Sequence, residues 1–190
     1  MILKSAHALF LQKGYHATSM RQIAAQSNLT VGSLYNHFNN KEQIYLAVLK
    51  RYHPLREILP TLTEIYPATI QEFIRQAANL LIEHLRQDED FLNLMFIEFV
   101  EFRAMHIPSL LDTLIPQINQ LSKHISSYQS QLREIPINIV IRTFFGMFFA
   151  YSITEMIFGT RLNKYPSEQS LDYYLDIFLH GILLNEESNL

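Results

Sequence analysis

Apolar residues recur every three to four positions along nearly the whole chain, and no strand-like alternation of apolar and polar residues persists. This periodicity predicts an all-α protein. Caps and helix breakers divide the pattern into helices at about 1–13, 19–27, 30–38, 41 onward, 68–87, 89–105, 109–132, 136–160 and 167–185.

Prolines suggest where the chain is divided. Because proline interrupts helices, Pro54, Pro60 and Pro67 are expected to kink or end the fourth helix. Pro116 is expected to kink or split the 109–132 segment. We therefore predict an N-terminal domain over residues 1–48 and a second helical domain over residues 49–190.

The segment 19–38 predicts two short helices joined by a three-residue turn. Ser19 and Thr30 are good N-caps, and Asn28 tolerates the left-handed backbone of a tight turn. Ile23 and Leu34 are expected to point inward. Two helices joined this tightly form a helix-turn-helix, whose second helix can enter the major groove of DNA. Spacing alone is weak support, since many helix corners share it and bind nothing.

Composition excludes several classes of function. The 190 residues contain no Cys, which excludes disulfide frameworks, thiolate metal sites and a cysteine nucleophile. The 5 Gly form no phosphate-binding loop, and the 8 His include no HExxH pair. We therefore expect neither an enzyme nor a cofactor, and no metal site.

The net charge of −3 conceals two opposite halves. Residues 1–56 hold seven Lys and Arg against the single acid Glu42, a net charge of +6, whereas the remainder carries −9. This asymmetry predicts that the N-terminal part meets a polyanion.

The chain contains no predicted membrane span. Its most apolar stretch, Thr143 to Thr154, holds twelve residues, whereas a span needs about 18 or more. No basic segment of the kind that opens a signal peptide follows Met1. We therefore expect a soluble, cytoplasmic protein.

The first fifty residues resemble the TetR family of bacterial transcriptional regulators. The positions that carry the resemblance are Ile2, Leu3, Ala6, Leu9, Phe10, Gly14, Tyr15, Thr18, Ser19, Ile23, Ala24, Leu29, Thr30, Gly32, Leu34, Tyr35, His37, Phe38, Lys41 and Glu42. Asn28 replaces the usual glycine of the turn, at modest cost in backbone conformation.

The resemblance implies binding to double-stranded DNA through the second helix of the motif and its surroundings. The residues at the start of the recognition helix are expected to contact bases, with Gly32 permitting close approach. Tyr35, His37 and Lys41 are expected to contact phosphates, and Thr18 and Ser19 to donate to a phosphate. The full predicted DNA-binding set is Thr18, Ser19, Arg21, Thr30, Val31, Gly32, Ser33, Tyr35, Asn36, His37 and Lys41.

The resemblance also implies that the second domain dimerises, and two helices support this because they are apolar nearly all round. Such helices must be covered on both sides, by the protein's own core and by a partner subunit. The predicted homodimer face is a four-helix bundle formed by Phe145, Phe149, Ile153, Met156, Leu171, Leu175, Phe178 and Ile182. The alternative is that both helices are buried within one subunit.

A small-molecule effector is implied as well. Aromatic and Met stripes with a central carboxylate suggest a lipophilic, cationic ligand, held by Phe91, Met95, Glu98, Phe102, Met105, Phe144, Phe148, Tyr151 and Glu155. The alternative is that Glu98 and Glu155 pair with nearby arginines or reach solvent, and that the stripes are ordinary core.

These observations predict a homodimeric repressor that binds a palindromic operator and is released by a small hydrophobic effector. The alternative is a soluble α-helical ligand- or metal-binding protein without DNA affinity. Monomeric behaviour and a ligand-dependent shift in melting without DNA binding would favour that alternative.

Overall fold

The computed structural model describes residues 1–87, 89–158 and 167–183, and over these ranges the fold is all-α, as predicted. The helices are α1 (Ile2–Ala17), α2 (Met20–Gln26), α3 (Val31–Tyr35), α4 (Lys41–Arg51), α5 (Leu55–Glu64), α6 (Ile70–Gln87), α7 (Glu89–Glu101), α8 (Ile107–Ser126), α9 (Ile137–Phe158) and α10 (Ser167–Ile182). A single 3-10 turn, Gln129–Gln131, follows α8.

The chain forms two compact units. The first contains Met1–Pro54 and Asp88–Leu114, and the second contains Leu55–Gln87 and Ile115–Leu190. The first unit therefore holds α1 to α4 together with α7 and the start of α8. The predicted domain boundary after residue 48 stays a prediction. Sequence periodicity did not indicate that a later helix, α7, joins the N-terminal unit.

The core of the first unit joins α1 to α2, α4 and α7. Phe10, Ile23, Leu34 and Tyr45 are fully buried there. The Tyr45 hydroxyl donates a hydrogen bond of 3.0 Å to the carbonyl oxygen of Leu94 on α7. A buried phenol needs a hydrogen-bond partner, so α4 and α7 are joined by this hydrogen bond as well as by apolar packing.

The core of the second unit lies between α6, α9 and α10, with α5 packed on α6. The inner face of α9 carries Phe144 and Phe148, whose rings are 4.7 Å apart, and Phe178 of α10 meets Phe144 edge to face at 5.7 Å. These rings bury the apolar stripe that the sequence shows on each helix.

The helix boundaries differ from prediction at several places. The segment after Pro54 forms α5, and Pro60, which was expected to kink or end a helix, lies inside it. The helix α8 continues through Pro116 without being split. The helix α7 ends at Glu101 instead of residue 105, because Arg103 and Ala104 adopt left-handed backbone with φ of 52° and 64°.

Length and composition alone would allow α9 to cross a membrane, and it is the one such helix among the described residues. The sequence predicted no such helix, because its longest strongly apolar stretch holds only twelve residues. Core helices of soluble proteins can be equally apolar, and the inner side chains of α9, including Val140 and Tyr151, are buried in the second unit.

Candidate nucleic-acid interface

The helix-turn-helix is formed by α2 and α3, and local hydrogen bonds fix both helix starts. Ser19 and Gln22 form a reciprocal capping box at α2. The Oγ1 atom of Thr30 accepts from the main-chain N–H of Ser33 at 3.1 Å and caps α3. Asn28 has a φ of 54°, the left-handed conformation predicted for the turn. Both predicted caps and the turn conformation are confirmed.

The two faces of the motif differ sharply in exposure. Ile23, Ala24 and Leu34 are buried against the rest of the first unit. The predicted DNA-binding residues that are exposed are Ser19, Arg21, Thr30, Gly32, Tyr35, Asn36 and His37, and those that are half-buried are Val31, Ser33 and Lys41. Tyr35 is 49% exposed, so its side chain is accessible to a partner.

Gly32 has no internal packing reason to be glycine. A Cβ atom added there would meet only the Thr30 Oγ1 atom, at 3.9 Å, which is an ordinary contact. Glycine is also unfavourable inside a helix. The absent side chain leaves room on the solvent side of α3, as the close approach of a large partner would require.

Two residues of the predicted set have internal partners. The Thr18 side chain is buried, and its hydroxyl lies 2.8 Å from the carbonyl oxygen of Gly14 and 3.2 Å from that of Leu9. The Lys41 ammonium donates to the carbonyl oxygens of Tyr15 and Thr18 at 2.6 and 2.7 Å. Both side chains therefore fasten the end of α1, and their predicted phosphate contacts stay predictions.

The basic character of the motif is local. The first unit also contains residues 88–114, whose six acids and one arginine cancel the positive charge of residues 1–54. Two of these acids, Glu98 and Glu101, are largely removed from solvent, whereas Lys4, Lys13, Arg21 and Arg51 are exposed. The exposed basic residues favour contact with a polyanion.

The predicted pocket residues fall into two groups. In the first unit, Phe91, Met95 and Glu98 are buried, Phe102 stacks on Tyr45 at 4.7 Å, and Met105 is exposed. The Glu98 carboxylate lies 3.0 Å from the imidazole of His106 instead of pairing with Arg103. This group forms a packed cluster around Tyr45 and Phe102.

In the second unit, Phe144, Phe148 and Tyr151 are buried on α9 and Glu155 is half-buried. Burial, reinforced by Glu155, raises the pKa of Tyr151, while Arg86 opposes the shift. The Arg86 guanidinium lies 3.5 Å from the phenol oxygen. The phenol is therefore neutral at physiological pH.

A narrow apolar cavity of about 20 Å³, roughly the room that one water molecule needs, lies in the second unit. Sequence reasoning identified only Phe144 as a pocket residue and placed Phe145 on the dimer face, and it missed the rest because they come from four helices. The lining residues are Leu62, Phe73, Ile74, Ala77, Leu121, Ile125, Val140, Ile141, Phe144 and Phe145.

The predicted dimer face is divided by burial. On α9, Phe145, Phe149 and Ile153 are half-buried and Met156 is exposed. On α10, however, the predicted residues Leu171, Leu175, Phe178 and Ile182 are buried inside the second unit. The exposed apolar side of α10 is the opposite one, which carries Tyr173 and Ile177. Both sides of α10 are apolar, so periodicity alone could not distinguish the buried side from the exposed one.

A metal-binding alternative finds no support in the part of the chain that the structure describes. There, no group of three His, Cys, Asp or Glu residues is placed to hold a metal ion. His106 has the carboxylates of Glu98 and Glu42 as its partners.

Comparison with known proteins agrees with this geometry. Residues 2–48 match the family described as "Bacterial regulatory proteins, tetR family". The HTH-type transcriptional regulator YvkB of Bacillus subtilis is 23% identical, with 95% of each chain covered. The HTH-type transcriptional repressor KstR2 of Mycolicibacterium smegmatis is 31% identical over 54% of this chain and 55% of its own.

Solved structures agree on the fold. SmeT, the repressor of the Stenotrophomonas maltophilia multidrug efflux pump SmeDEF, superposes with a TM-score of 0.71 at 20% identity, covering 97% of this chain and 90% of SmeT. The SmeT–triclosan complex gives the same TM-score at 19% identity, with coverages of 97% and 91%. Residues 2–48 are therefore a DNA-binding domain of the kind found in the TetR family of bacterial regulatory proteins, and the chain as a whole is similar to HTH-type transcriptional regulators.

Proposed function

We propose that this regulator is a repressor that binds a palindromic operator as a homodimer and is released by a small apolar effector. The observation that carries the DNA-binding part is the open space beside Gly32 on an exposed, capped recognition helix. The remaining parts are supported by the exposed faces of α9 and α10, by the apolar cavity and by the relatives.

The proposed DNA contacts divide by position. Thr30, Val31 and Ser33, in the first turn of α3, are proposed to meet base edges, while Tyr35 and His37 contact phosphates. The hydroxyl oxygens of Thr30 and Ser33 are 2.8 Å apart, so each already has a partner. A base that replaces this contact must offer a hydrogen bond of its own, which favours some sequences over others.

The proposed dimer interface uses the outer sides of α9 and α10. Large apolar side chains remain exposed there, including Ile139, Met156, Tyr173 and Ile177. A shallow groove between the helices is lined mainly by apolar residues, and Gly181 forms part of it. Neither Gly146 nor Gly181 has a neighbour within 4 Å of a Cβ position, so a partner helix can approach closely. A twofold axis would then present two recognition helices to a palindrome.

The proposed effector is uncharged and apolar where it enters the cavity of the second unit, and the lining side chains must move apart to admit it, because the cavity holds only about 20 Å³. Its ten lining side chains are all hydrocarbon, and three are phenylalanines. A buried charge without a partner would be strongly unfavourable there. The complex of SmeT with triclosan supports this class of ligand. The cationic ligand considered from sequence has no carboxylate in this lining.

The mechanism of release is a shift between dimer states. Two recognition helices must match half-sites about 34–36 Å apart to bind together. An effector that binds more tightly to a state with another spacing lowers the population that binds the operator. Regulators of this family are soluble cytoplasmic proteins, and we propose that this one lies on the nucleoid when it is bound to its operator.

Selection from a random duplex pool tests the proposal. We expect the full-length protein to enrich a palindromic sequence at low salt, and the affinity to fall steeply as salt rises because phosphate contacts release counterions. The variant Tyr66→Ala should enrich the same sequence as the wild type, because this tyrosine is exposed in the second unit. Enrichment of no sequence, or of a sequence without two half-sites, would contradict the proposal.

A further inference from the structure

One histidine of the first unit lies between carboxylates of two helices. The Nδ1 atom of His106 is 3.0 Å from Glu98 Oε2, and its Nε2 atom is 3.2 Å from Glu42 Oε1. The His106 side chain is 7% exposed and Glu98 is fully buried. A neutral imidazole has one donor nitrogen, and an ionised carboxylate only accepts. The imidazolium form is therefore the one that donates to both partners.

The turn between α7 and α8 places this ring. Arg103 and Ala104 both have left-handed backbone, which is unfavourable for residues with a Cβ atom. The main-chain N–H of His106 also donates to Glu98 Oε1, at 2.7 Å. Glu98 therefore holds both the main chain and the ring of His106, and the two bonds keep the turn closed.

The second carboxylate connects this turn to the DNA-binding helices. Glu42 lies in the first turn of α4, which begins shortly after the recognition helix α3 ends at Tyr35. Its neighbour Lys41 is bonded to the end of α1. The start of α4 is thus held from two sides, by Lys41 toward α1 and by Glu42 toward His106.

The surroundings of His106 are aromatic and contain few other titratable groups. Phe102 meets the imidazole edge to face at 4.5 Å, and Tyr45 lies at 5.6 Å. The titratable groups that face the ring are Glu42 and Tyr45 from α4 and Glu98 from α7. Burial, with Glu98 and Glu101 nearby, raises the pKa of Tyr45, so this phenol stays neutral.

We propose that the imidazolium of His106 is a positioning group for DNA binding, which fixes the first turn of α4 through Glu42 and the α7–α8 turn through Glu98. The inference rests on the proposed DNA-binding function. Loss of the proton leaves one ring nitrogen as an acceptor facing a carboxylate, so one bridge is replaced by repulsion. Operator affinity should therefore be highest when the ring is protonated and fall when the proton is lost at higher pH.

Titrations of the enriched duplex between pH 5.5 and 8.5 at constant ionic strength test this. We expect the affinity of the wild-type protein to fall across this range by roughly tenfold more than the affinity of His106→Gln does. The reason is that the wild type loses a charge-assisted hydrogen bond. His106→Gln and Glu42→Gln should both bind weakly with flatter profiles. His84→Gln is the matched control, since His84 lies on α6 of the second unit and its ring pairs with the Leu80 carbonyl oxygen of the same helix, and it should follow the wild type.

The two levels of the proposal fail in different ways. Failure to enrich any duplex refutes DNA recognition itself, whereas enrichment with coinciding pH profiles for wild type and His106→Gln refutes only the role of His106. If His106→Gln does not fold, nitrogen NMR of the wild type decides. We expect both ring nitrogens of His106 to be protonated in the duplex-bound protein, and the amide signals of Lys41 and Glu42 to shift as the proton is lost. A neutral ring in the duplex-bound protein overturns the inference.

Discussion

The side chain of Lys41 and the main chain of Tyr15 form a direct link between α4 and the end of α1. The ammonium donates to the Tyr15 carbonyl oxygen at 2.6 Å and lies 4.0 Å from the centre of the tyrosine ring. The same group reaches the Thr18 carbonyl oxygen, and desolvation lowers the pKa of Lys41. A lysine expected from sequence to contact DNA thus also holds the helix-turn-helix together.

Replacing Lys41 should therefore weaken the fold as well as DNA binding. We expect Lys41→Met to lower the free energy of unfolding by about 1–3 kcal/mol, because carbonyl groups at the end of α1 lose a charged donor. Lys13→Met is the control, since Lys13 is exposed, and should change stability by less than about 0.5 kcal/mol. Chemical denaturation measures both. Equal stability of Lys41→Met and the wild type would show that these hydrogen bonds do not stabilise the fold.

Gly32→Ala should separate stability from DNA affinity. Alanine is favoured over glycine in a helix, so we expect the free energy of unfolding to rise by about 0.5–1 kcal/mol. The added methyl group occupies the space left for DNA, so affinity for the enriched duplex should fall about tenfold or more. Denaturation and anisotropy titration check the two effects. Unchanged affinity would show that the space beside Gly32 is not used.

Tyr35→Ala should weaken binding to every duplex by a similar factor, because a phosphate contact positions the protein without reading sequence. A loss of roughly tenfold is expected in both enriched and scrambled duplexes. Tyr66→Ala removes an equally large exposed ring from the second unit and should leave both affinities unchanged. A loss confined to the enriched duplex would assign Tyr35 to base recognition instead.

His53 should make the fold sensitive to acid. Burial lowers the pKa of this imidazole from 6.5 to about 4, and Phe91 packs edge to face against it at 4.8 Å. Between pH 6.5 and 4 the unfolded chain binds a proton at this imidazole and the folded chain does not. The free energy of unfolding is therefore highest above pH 6.5 and declines as pH falls toward 4.

We expect His53→Gln to remove part of this decline, on the order of 2 kcal/mol between pH 7 and 4.5. His180→Gln, at an exposed histidine, should retain the full decline. Denaturation at a series of pH values measures the effect. Parallel stability curves for wild type and His53→Gln would contradict the assignment.

The exposed face of α10 should govern oligomeric state. Ile177 is 62% exposed, and we expect Ile177→Glu to give a folded monomer with much weaker operator binding. Leu175→Glu places a charge in the core and should unfold the second unit. Sedimentation measures the mass, with Tyr66→Glu as the surface control. A dimeric Ile177→Glu protein would move the interface to another surface.

Sequence reasoning succeeded where structure follows from neighbouring residues. The Ser19 and Thr30 caps and the left-handed Asn28 depend on chemistry within a few positions, so pattern and propensity sufficed. It failed where distant segments decide. The partners of Lys41 are more than twenty residues away in sequence, and Glu42 meets His106 across sixty-four positions. The choice of buried face on α10 likewise depends on α6 and α9, which no local pattern encodes.

The central claim is that this chain reads a specific sequence through α3, and one titration tests it most directly. The wild-type protein is titrated against the enriched duplex and against the same duplex with both half-sites scrambled, at several salt concentrations. We expect the enriched duplex to bind at least about a thousandfold more tightly, with affinity for both duplexes falling steeply as salt rises. Equal affinity for the two duplexes, or binding that salt does not weaken, would contradict the claim.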